Sequence, residues 1–208
     1  MAAIAHHVTV SKTARYYTLG TLTERTREIW IVIHGWAQLA EQFIGDFAAL
    51  DNGERFIIAP EALNRFYLRA GKPEVGATWM TREDREAEMR DYVNYLNVLY
   101  DSLNLSRHTA KIVVLGFSQG VATLSRWVYL NQRRMDAVIF YAGEIANELQ
   151  NAESIAAFTQ KEKYFICGTE DPFINELNLP KVTSLLKGFT VVMFEGRHEL
   201  KADALINI

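Results

Sequence analysis

The sequence is poor in cysteine, in clustered basic residues and in long apolar runs, and each absence excludes a class of protein. Its one cysteine, Cys167, has no partner for an internal disulfide. Because it lies in the apolar run KYFICG, we interpret it as a small buried side chain. A chain without disulfides fits a reducing compartment.

The charges and the hydrophobic pattern exclude two kinds of partner. The net charge is −3, the isoelectric point is about 6.0 and the Lys and Arg residues are scattered, so we expect no nucleic acid partner. No stretch approaches the roughly 18 apolar residues of a membrane-spanning helix. The N-terminal MAAIAHHVTVSK lacks the basic segment and apolar core of a signal peptide, which predicts a cytoplasmic protein.

No internal repeat, low-complexity tract or linker rich in Pro, Gly and Ser interrupts the chain. With 208 residues, 49% of them hydrophobic and 23% charged, the chain is long enough to bury one core. We therefore predict a single domain over residues 1–208.

Short runs of β-branched and aromatic residues alternate with amphipathic segments, which is typical of an α/β protein with a mostly parallel, twisted sheet and helices on both faces. The predicted strands cover residues 6–10, 15–19, 28–35, 55–61, 111–117, 137–143, 163–169 and 190–196. The predicted helices cover residues 39–50, 82–103, 119–131, 147–158 and 177–186.

Two segments call for local interpretation. The strands at 6–10 and 15–19 are too close for a crossover helix, so we expect an antiparallel N-terminal hairpin at one edge of the sheet. Residues 63–79 mix aromatics with Gly and Pro, which favours an irregular loop, either a pocket wall or a segment pinned to the core.

The stretch GFSQG places a serine between an apolar strand and a helix. A tight turn there forces Ser118 into a strained backbone angle that exposes its hydroxyl above the sheet edge. Gly116 and Gly120 remove side chains where strand and helix crowd together. The helix beginning at Gln119 directs free N–H groups toward the serine, where negative charge develops in acyl transfer.

A serine nucleophile needs a base and a group that orients the base. Only His198 follows Ser118 among the histidines, and it comes just after the last predicted strand. Asp171 also follows a strand end, and a serine, acid, histidine order favours it as the orienting acid. Glu144, after the preceding strand, and the neighbouring Glu170 remain alternatives.

A second donor to a developing oxyanion should come from the loop after the strand EIWIVI. The backbone N–H of Trp36, together with that of Gln119, is our candidate pair. We interpret His34, which precedes the nucleophile at a strand end, as a structural histidine bonded to nearby backbone. No His, Cys and Asp spacing suggests a metal, and we expect no cofactor.

Five motifs occur in order between residues 29 and 200: HGW, APE with a downstream Trp79, GFSQG, GTEDPF and GRHEL. In these motifs the chain resembles the α/β-hydrolase superfamily, most closely its small cap-less esterases of the carboxylesterase, phospholipase and acyl-thioesterase group. The resemblance implies a three-layer fold without a cap domain. It also implies that Ser118 is the nucleophile, Asp171 the acid and His198 the base, with Trp36 and Gln119 as the oxyanion hole.

With space for only one crossover helix between residues 143 and 163, we expect an open substrate pocket. Its candidate lining residues are Trp36, Phe66, Tyr67, Trp79, Phe173 and Leu200. These features favour a serine carboxylesterase acting on small-molecule esters of short to medium acyl chains. An acyl-thioesterase, a lysophospholipase and a non-catalytic small-ligand-binding protein of the same fold are the alternatives; the oligomeric state stays open.

Overall fold

The apolar runs of the sequence lie side by side in one mostly parallel sheet. The computed structural model describes residues 3–131, 133–156, 158, 162–175, 178–206 and 208. Within them, the strands are β1 (Tyr16–Leu19), β2 (Glu28–Ile33), β3 (Arg55–Pro60), β4 (Asn64–Tyr67), β5 (Val75–Thr78), β6 (Lys111–Phe117), β7 (Ala137–Tyr141), β8 (Glu162–Gly168) and β9 (Thr190–Phe194). Seven of these strands form one sheet in the order β1-β3-β2-β6-β7-β8-β9, and β4 and β5 form a separate pair.

Helices cover both faces of the sheet. They are α1 (Ala40–Gly45), α2 (Arg85–Ser102), α3 (Gln119–Leu130), α4 (Ala152–Ala156) and α5 (Leu179–Leu185), with 3₁₀ turns at Ala48–Leu50, Leu105–Arg107, Asn147–Leu149 and Ala202–Leu205. The described residues between β7 and β8 hold only a 3₁₀ turn and α4, and no cap domain is inserted there. No helix in the described ranges is long and apolar enough to cross a membrane.

Strand β2 shows why the parallel strands are apolar along their whole length. Successive side chains of a strand point to opposite faces, so a strand covered on both faces is buried at every position. Ile29 and Ile31 pack in the cluster that contains Leu96 of α2, whereas Trp30 and Val32 pack in the cluster that contains Phe43 of α1. The prediction of helices on both faces is confirmed.

The antiparallel edge exists, but its pairing differs from our expectation. β1 pairs with β3 in antiparallel register, with Tyr16 opposite Pro60, while residues 6–10 form no strand. Val8 and Val10 are 84% and 74% exposed, so the alternating pattern of this segment has no apolar surface to cover. Instead, His7 lies beside the start of α2, bonded to Asp84 at 2.9 Å. The predicted N-terminal hairpin is therefore wrong.

Residues 63–79 are more regular than predicted, because β4 and β5 pair as an antiparallel hairpin with Asn64 opposite Thr78. The strands are only four residues long and carry polar, aromatic and small residues, which gave no apolar pattern to read. Two predicted helices are also shorter or broken: residues 39–50 form α1 and a 3₁₀ turn, and residues 147–156 form a 3₁₀ turn and α4. Parts of the predicted helices at 147–158 and 177–186 lie outside the described residues.

Candidate active site

The turn that carries Ser118 joins β6 directly to α3 at the carboxyl edge of the sheet. Ser118 has φ 53° and ψ −118°, a left-handed conformation that costs free energy for any residue with a Cβ. Its N–H donates to the Tyr141 carbonyl at 2.9 Å, and its carbonyl accepts from the Val121 N–H at 3.0 Å. These bonds hold the strained residue in place.

Two glycines allow the close approach of chain segments around this turn, as predicted. A Cβ on Gly116 would lie 2.4 Å from the Gly120 carbonyl oxygen, and a Cβ on Gly120 would lie 2.2 Å from that of Ile33. Real Cβ atoms do not come so close to backbone. The start of α3 is thus packed against both its own strand and β2, which the sequence motif alone did not reveal.

His198 lies in the loop after β9, on the same edge of the sheet as Ser118. Its Nε2 is 2.9 Å from the Ser118 Oγ, and its ring lies against Phe117 and Phe173, with centroid separations of 5.1 and 4.7 Å. The loop is fixed behind the ring because the Lys201 N–H donates to the Tyr141 hydroxyl at 2.9 Å. The imidazole is therefore held in hydrogen-bond contact with the serine.

Asp171, in the turn after β8, contacts the other ring nitrogen of His198. Its Oδ2 is 2.7 Å from His198 Nδ1, and its Oδ1 accepts from the N–H groups of Phe173 at 2.8 Å and Ile174 at 3.1 Å. The side chain is fully buried. A carboxylate oxygen at Nδ1 favours the tautomer with the proton on Nδ1, which leaves the Nε2 lone pair facing the serine hydroxyl.

The two rival acids lie elsewhere. The Glu144 Oε2 is within 3.3 Å of the Gln150 side-chain amide, and Glu170 lies exposed on the surface. Neither has a hydrogen bond to His198 among the contacts of the described residues. The geometry therefore favours Asp171 over both alternatives.

Cys167 packs beneath this acid at the end of β8. Its side chain is fully buried, as predicted, and burial together with the Asp171 charge raises the pKa of the thiol to about 12. The thiol stays protonated at neutral pH and is unsuited to nucleophilic chemistry.

The loop after β2 leaves the backbone N–H of Trp36 without an acceptor among the described residues. The Gly35 N–H donates to the Gln38 side chain at 2.7 Å, and the Ala37 N–H donates to the Ala77 carbonyl at 2.9 Å. Within the described part of the chain, the Trp36 N–H has no such acceptor, and neither has the Gln119 N–H at the start of α3. Both residues lie next to the serine, since Gln119 follows it in the chain and a Cβ on Gly35, the neighbour of Trp36, would be 3.1 Å from the Ser118 Cβ.

His34 occupies the predicted structural position. Its side chain is buried, its Nδ1 lies 2.7 Å from the Gly35 carbonyl oxygen, and its Nε2 accepts from the Ala62 N–H at 3.0 Å. With Nε2 as acceptor, Nδ1 carries the proton and the ring is neutral. Burial lowers the pKa of His34 to about 4, despite the opposing effect of the Gly35 carbonyl.

Because His34 is buried and neutral, we expect the free energy of unfolding to fall in acid. Because the folded-state pKa of His34 lies below its ordinary value of 6.5, its stabilising effect is present above about pH 6.5 and is lost as the pH falls toward 4. We expect up to about 3 kcal/mol of the free energy of unfolding to disappear over that range. Urea unfolding of the wild type and of His34→Gln, at pH values from about 6.5 down to 4, measures this loss. The free energy of unfolding of the variant should depend less on pH. The exposed His6→Gln variant is the control; if it flattens the profile as much as His34→Gln does, the assignment to His34 is wrong.

Comparison with solved structures places this geometry in a known architecture. Esterase PE8 matches with a TM-score of 0.67 and 20% identity over 94% of this chain and 96% of its own. Zea mays acyl-protein thioesterase 2 matches at 0.69 and 14% identity, over 94% and 96%. A phospholipase/carboxylesterase from Dyadobacter fermentans matches at 0.67 and 18% identity, over 96% and 97%. The chain has the α/β-hydrolase fold. No protein-family model and no curated protein sequence matches it.

In this α/β-hydrolase fold, aromatic side chains occur in the loop after β2, in the β4–β5 hairpin and beside His198. Trp36 is 61% exposed and stacks on Phe66 at a centroid distance of 5.6 Å, and Tyr67 is 69% exposed on the same hairpin. Phe173, 64% exposed, lies across the site against the ring of His198. These four side chains are called here the aromatic rim, and their role as a pocket lining stays a prediction.

Two of the predicted lining residues lie deeper than expected. Trp79 is 1% exposed because its indole N–H donates to the His34 carbonyl at 2.9 Å, which keeps the ring beneath the loop. Leu200 is half-buried and packs against the core on the α1 side of the sheet. Trp79 therefore supports the site from below and does not line an open pocket.

Sequence reasoning missed the polar side chains that support the site. Gln38 and the side chain of Gln119 bond to backbone around the serine turn, yet a lone glutamine in a loop carries no periodic pattern. A cavity of about 600 Å³ between residues 7–16 and α2 was also not foreseen, and none of the predicted site residues lines it. No group of His, Cys, Asp and Glu that could hold a metal ion occurs among the residues that the structure describes.

Proposed function

We propose that this protein is a serine carboxylesterase that cleaves esters of short to medium acyl chains through an acyl-enzyme intermediate. The single observation that carries the proposal is the hydrogen-bonded series Ser118, His198 and Asp171, with contacts of 2.9 and 2.7 Å. Esterases and thioesterases among the solved structures of the same fold support a hydrolase in the broader sense. Fold alone does not determine function, and the weight rests on the site.

The chemistry follows from the geometry. His198 Nε2 removes the proton from the Ser118 hydroxyl as the oxygen attacks the ester carbonyl carbon. The Trp36 and Gln119 N–H groups stabilise the oxyanion, and protonated His198 then gives its proton to the departing alcohol. Water repeats the sequence on the acyl-enzyme and releases the acid. Asp171 holds the imidazole in the required tautomer and stabilises its charged form.

The shape of the site favours acyl groups of limited length. Three of the four rings of the aromatic rim are more than 60% exposed, which favours an open surface for the acyl chain over a closed tunnel. Each buried methylene contributes only about 0.8 kcal/mol, and an open surface buries few of them. We therefore expect the gain from chain length to end at a medium length.

The second candidate is an acyl-thioesterase or lysophospholipase. The names of two matching structures, an acyl-protein thioesterase and a phospholipase/carboxylesterase, favour it. Rates on p-nitrophenyl esters from acetate to dodecanoate, measured beside a palmitoyl-CoA assay, separate the candidates. We expect kcat/KM to peak before dodecanoate, and activity confined to the thioester would refute the carboxylesterase assignment.

A non-catalytic binding protein of the same fold is tested by covalent labelling. A fluorophosphonate reacts with an activated serine and requires the neighbouring base. We expect one adduct, located at Ser118 by mass spectrometry of the digested protein. A folded protein that takes up no label would favour the binding protein.

A further inference from the structure

The side chain of Gln119 extends from the serine turn to a different segment of the chain. Its Nε2 donates to the Met80 carbonyl and to the Thr78 hydroxyl, both at 3.0 Å, and its Oε1 accepts from the Trp79 N–H at 3.2 Å. The Thr78 hydroxyl donates in turn to the Met80 carbonyl at 3.1 Å. Every polar atom of the amide therefore has a partner in residues 78–80.

The same segment, continuing back along β5, holds the loop that carries Trp36. The Ala37 N–H donates to the Ala77 carbonyl at 2.9 Å, and the Ala77 N–H donates to the Gln38 carbonyl at 3.3 Å. The contact is tight, since a Cβ on Gly76 would lie 2.5 Å from the Ala37 carbonyl oxygen. Strand β5 thus lies directly against the two residues that follow Trp36.

We propose that Gln119 is a positioning residue whose side chain, bonded to residues 78–80, fixes the Trp36 N–H relative to its own backbone N–H. The proposal rests on the proposed function, because it concerns the two donors to the oxyanion. Backbone contacts connect Trp36 to β5, and the Gln119 amide closes the connection from β5 to the serine turn. One residue thereby supplies one donor through its main chain and sets the place of the other through its side chain.

The physical reason lies in what an oxyanion site needs. A donor stabilises the transition state only when it is already aimed at the place where charge develops, and a misplacement of about 1 Å costs on the order of 100-fold in rate. The loop at 35–38 contains a residue with positive φ, Ala37 at 66°, and has no regular secondary structure. Its position therefore depends on contacts of the kind that Gln119 provides.

The test is Gln119→Met, which keeps the length of the side chain and the backbone N–H but removes the three amide contacts. On a p-nitrophenyl ester that the wild type hydrolyses, we expect kcat to fall about 10- to 100-fold, with KM changed less than about 3-fold. A trifluoromethyl ketone, which forms an oxyanion with the serine, should bind weaker by the same factor as kcat. A role in stability alone would lower the melting temperature without this parallel loss.

Gln150→Met is the matched control, because Gln150 also makes three side-chain hydrogen bonds, to Glu144, Ile145 and Asn147. It should keep the wild-type kcat. If Gln119→Met is unfolded, Thr78→Val, which removes the shared hydroxyl, takes its place with a smaller loss of kcat at constant KM. Wild-type kcat in the folded variant overturns the inference alone, whereas a wild type without hydrolysis or label at Ser118 overturns the proposed function and the inference together.

Discussion

Ser118→Ala will lower the kcat of ester hydrolysis by a factor on the order of 10⁵ to 10⁶, with little change in the melting temperature. The variant removes the atom that would form the acyl-enzyme and leaves His198 without its 2.9 Å contact. Residual rate enhancement over water, about 10³-fold, should remain, because the oxyanion donors and the binding surface are intact. Initial rates on p-nitrophenyl acetate and fluorophosphonate labelling measure the two consequences.

The control for this variant is Ser102→Ala. Ser102 lies at the end of α2, where its hydroxyl donates to the Leu99 carbonyl at 2.9 Å. It should keep both the rate and the label. A Ser118→Ala protein that still hydrolyses the ester within 10-fold of wild type would place the chemistry elsewhere in the molecule.

Asp171→Asn will lower kcat by about 10⁴-fold while the fold is retained. The reason is specific to the contacts of this acid. The N–H groups of Phe173 and Ile174 point at Oδ1, so the amide oxygen of an asparagine must take that place and its NH₂ group must face His198. The NH₂ group then donates to Nδ1, which forces the proton onto Nε2 and removes the base from Ser118.

Glu170→Gln provides the comparison, because this neighbouring acid is exposed and has no contact with the ring. Its kcat should stay within about 3-fold of wild type, as surface charges contribute little. If kcat falls in Glu170→Gln and not in Asp171→Asn, the orienting acid is Glu170. If both variants keep the wild-type kcat, Glu144 is favoured.

The parts of the molecule that follow from parallel strand order were predicted well. Because parallel neighbours end at one edge, an apolar strand before Ser118, another before Asp171 and a last one before His198 were enough to bring the three side chains together. The spacing along the chain does not matter for such a site. What matters is which strand each residue follows, and that can be read from apolar runs.

The rest depends on contacts that no local pattern encodes. The valines at 8 and 10 alternate as in a strand, yet a strand also needs apolar surface to pack against, and both side chains are exposed. The hairpin of β4 and β5 is held largely by its own pairing and by the loop at 37–38, so its residues need not be apolar. The role of the Gln119 amide likewise depends on residues about 40 positions away.

The backbone angle of Ser118 determines which residue at this position would give the most stable fold. Glycine adopts a φ of 53° at low cost, whereas a serine there raises the free energy of the folded state by about 1–3 kcal/mol. A chain selected only for a durable fold would therefore carry glycine at this corner. A hydroxyl at a position where glycine would give the more stable fold is therefore better explained by chemistry than by folding.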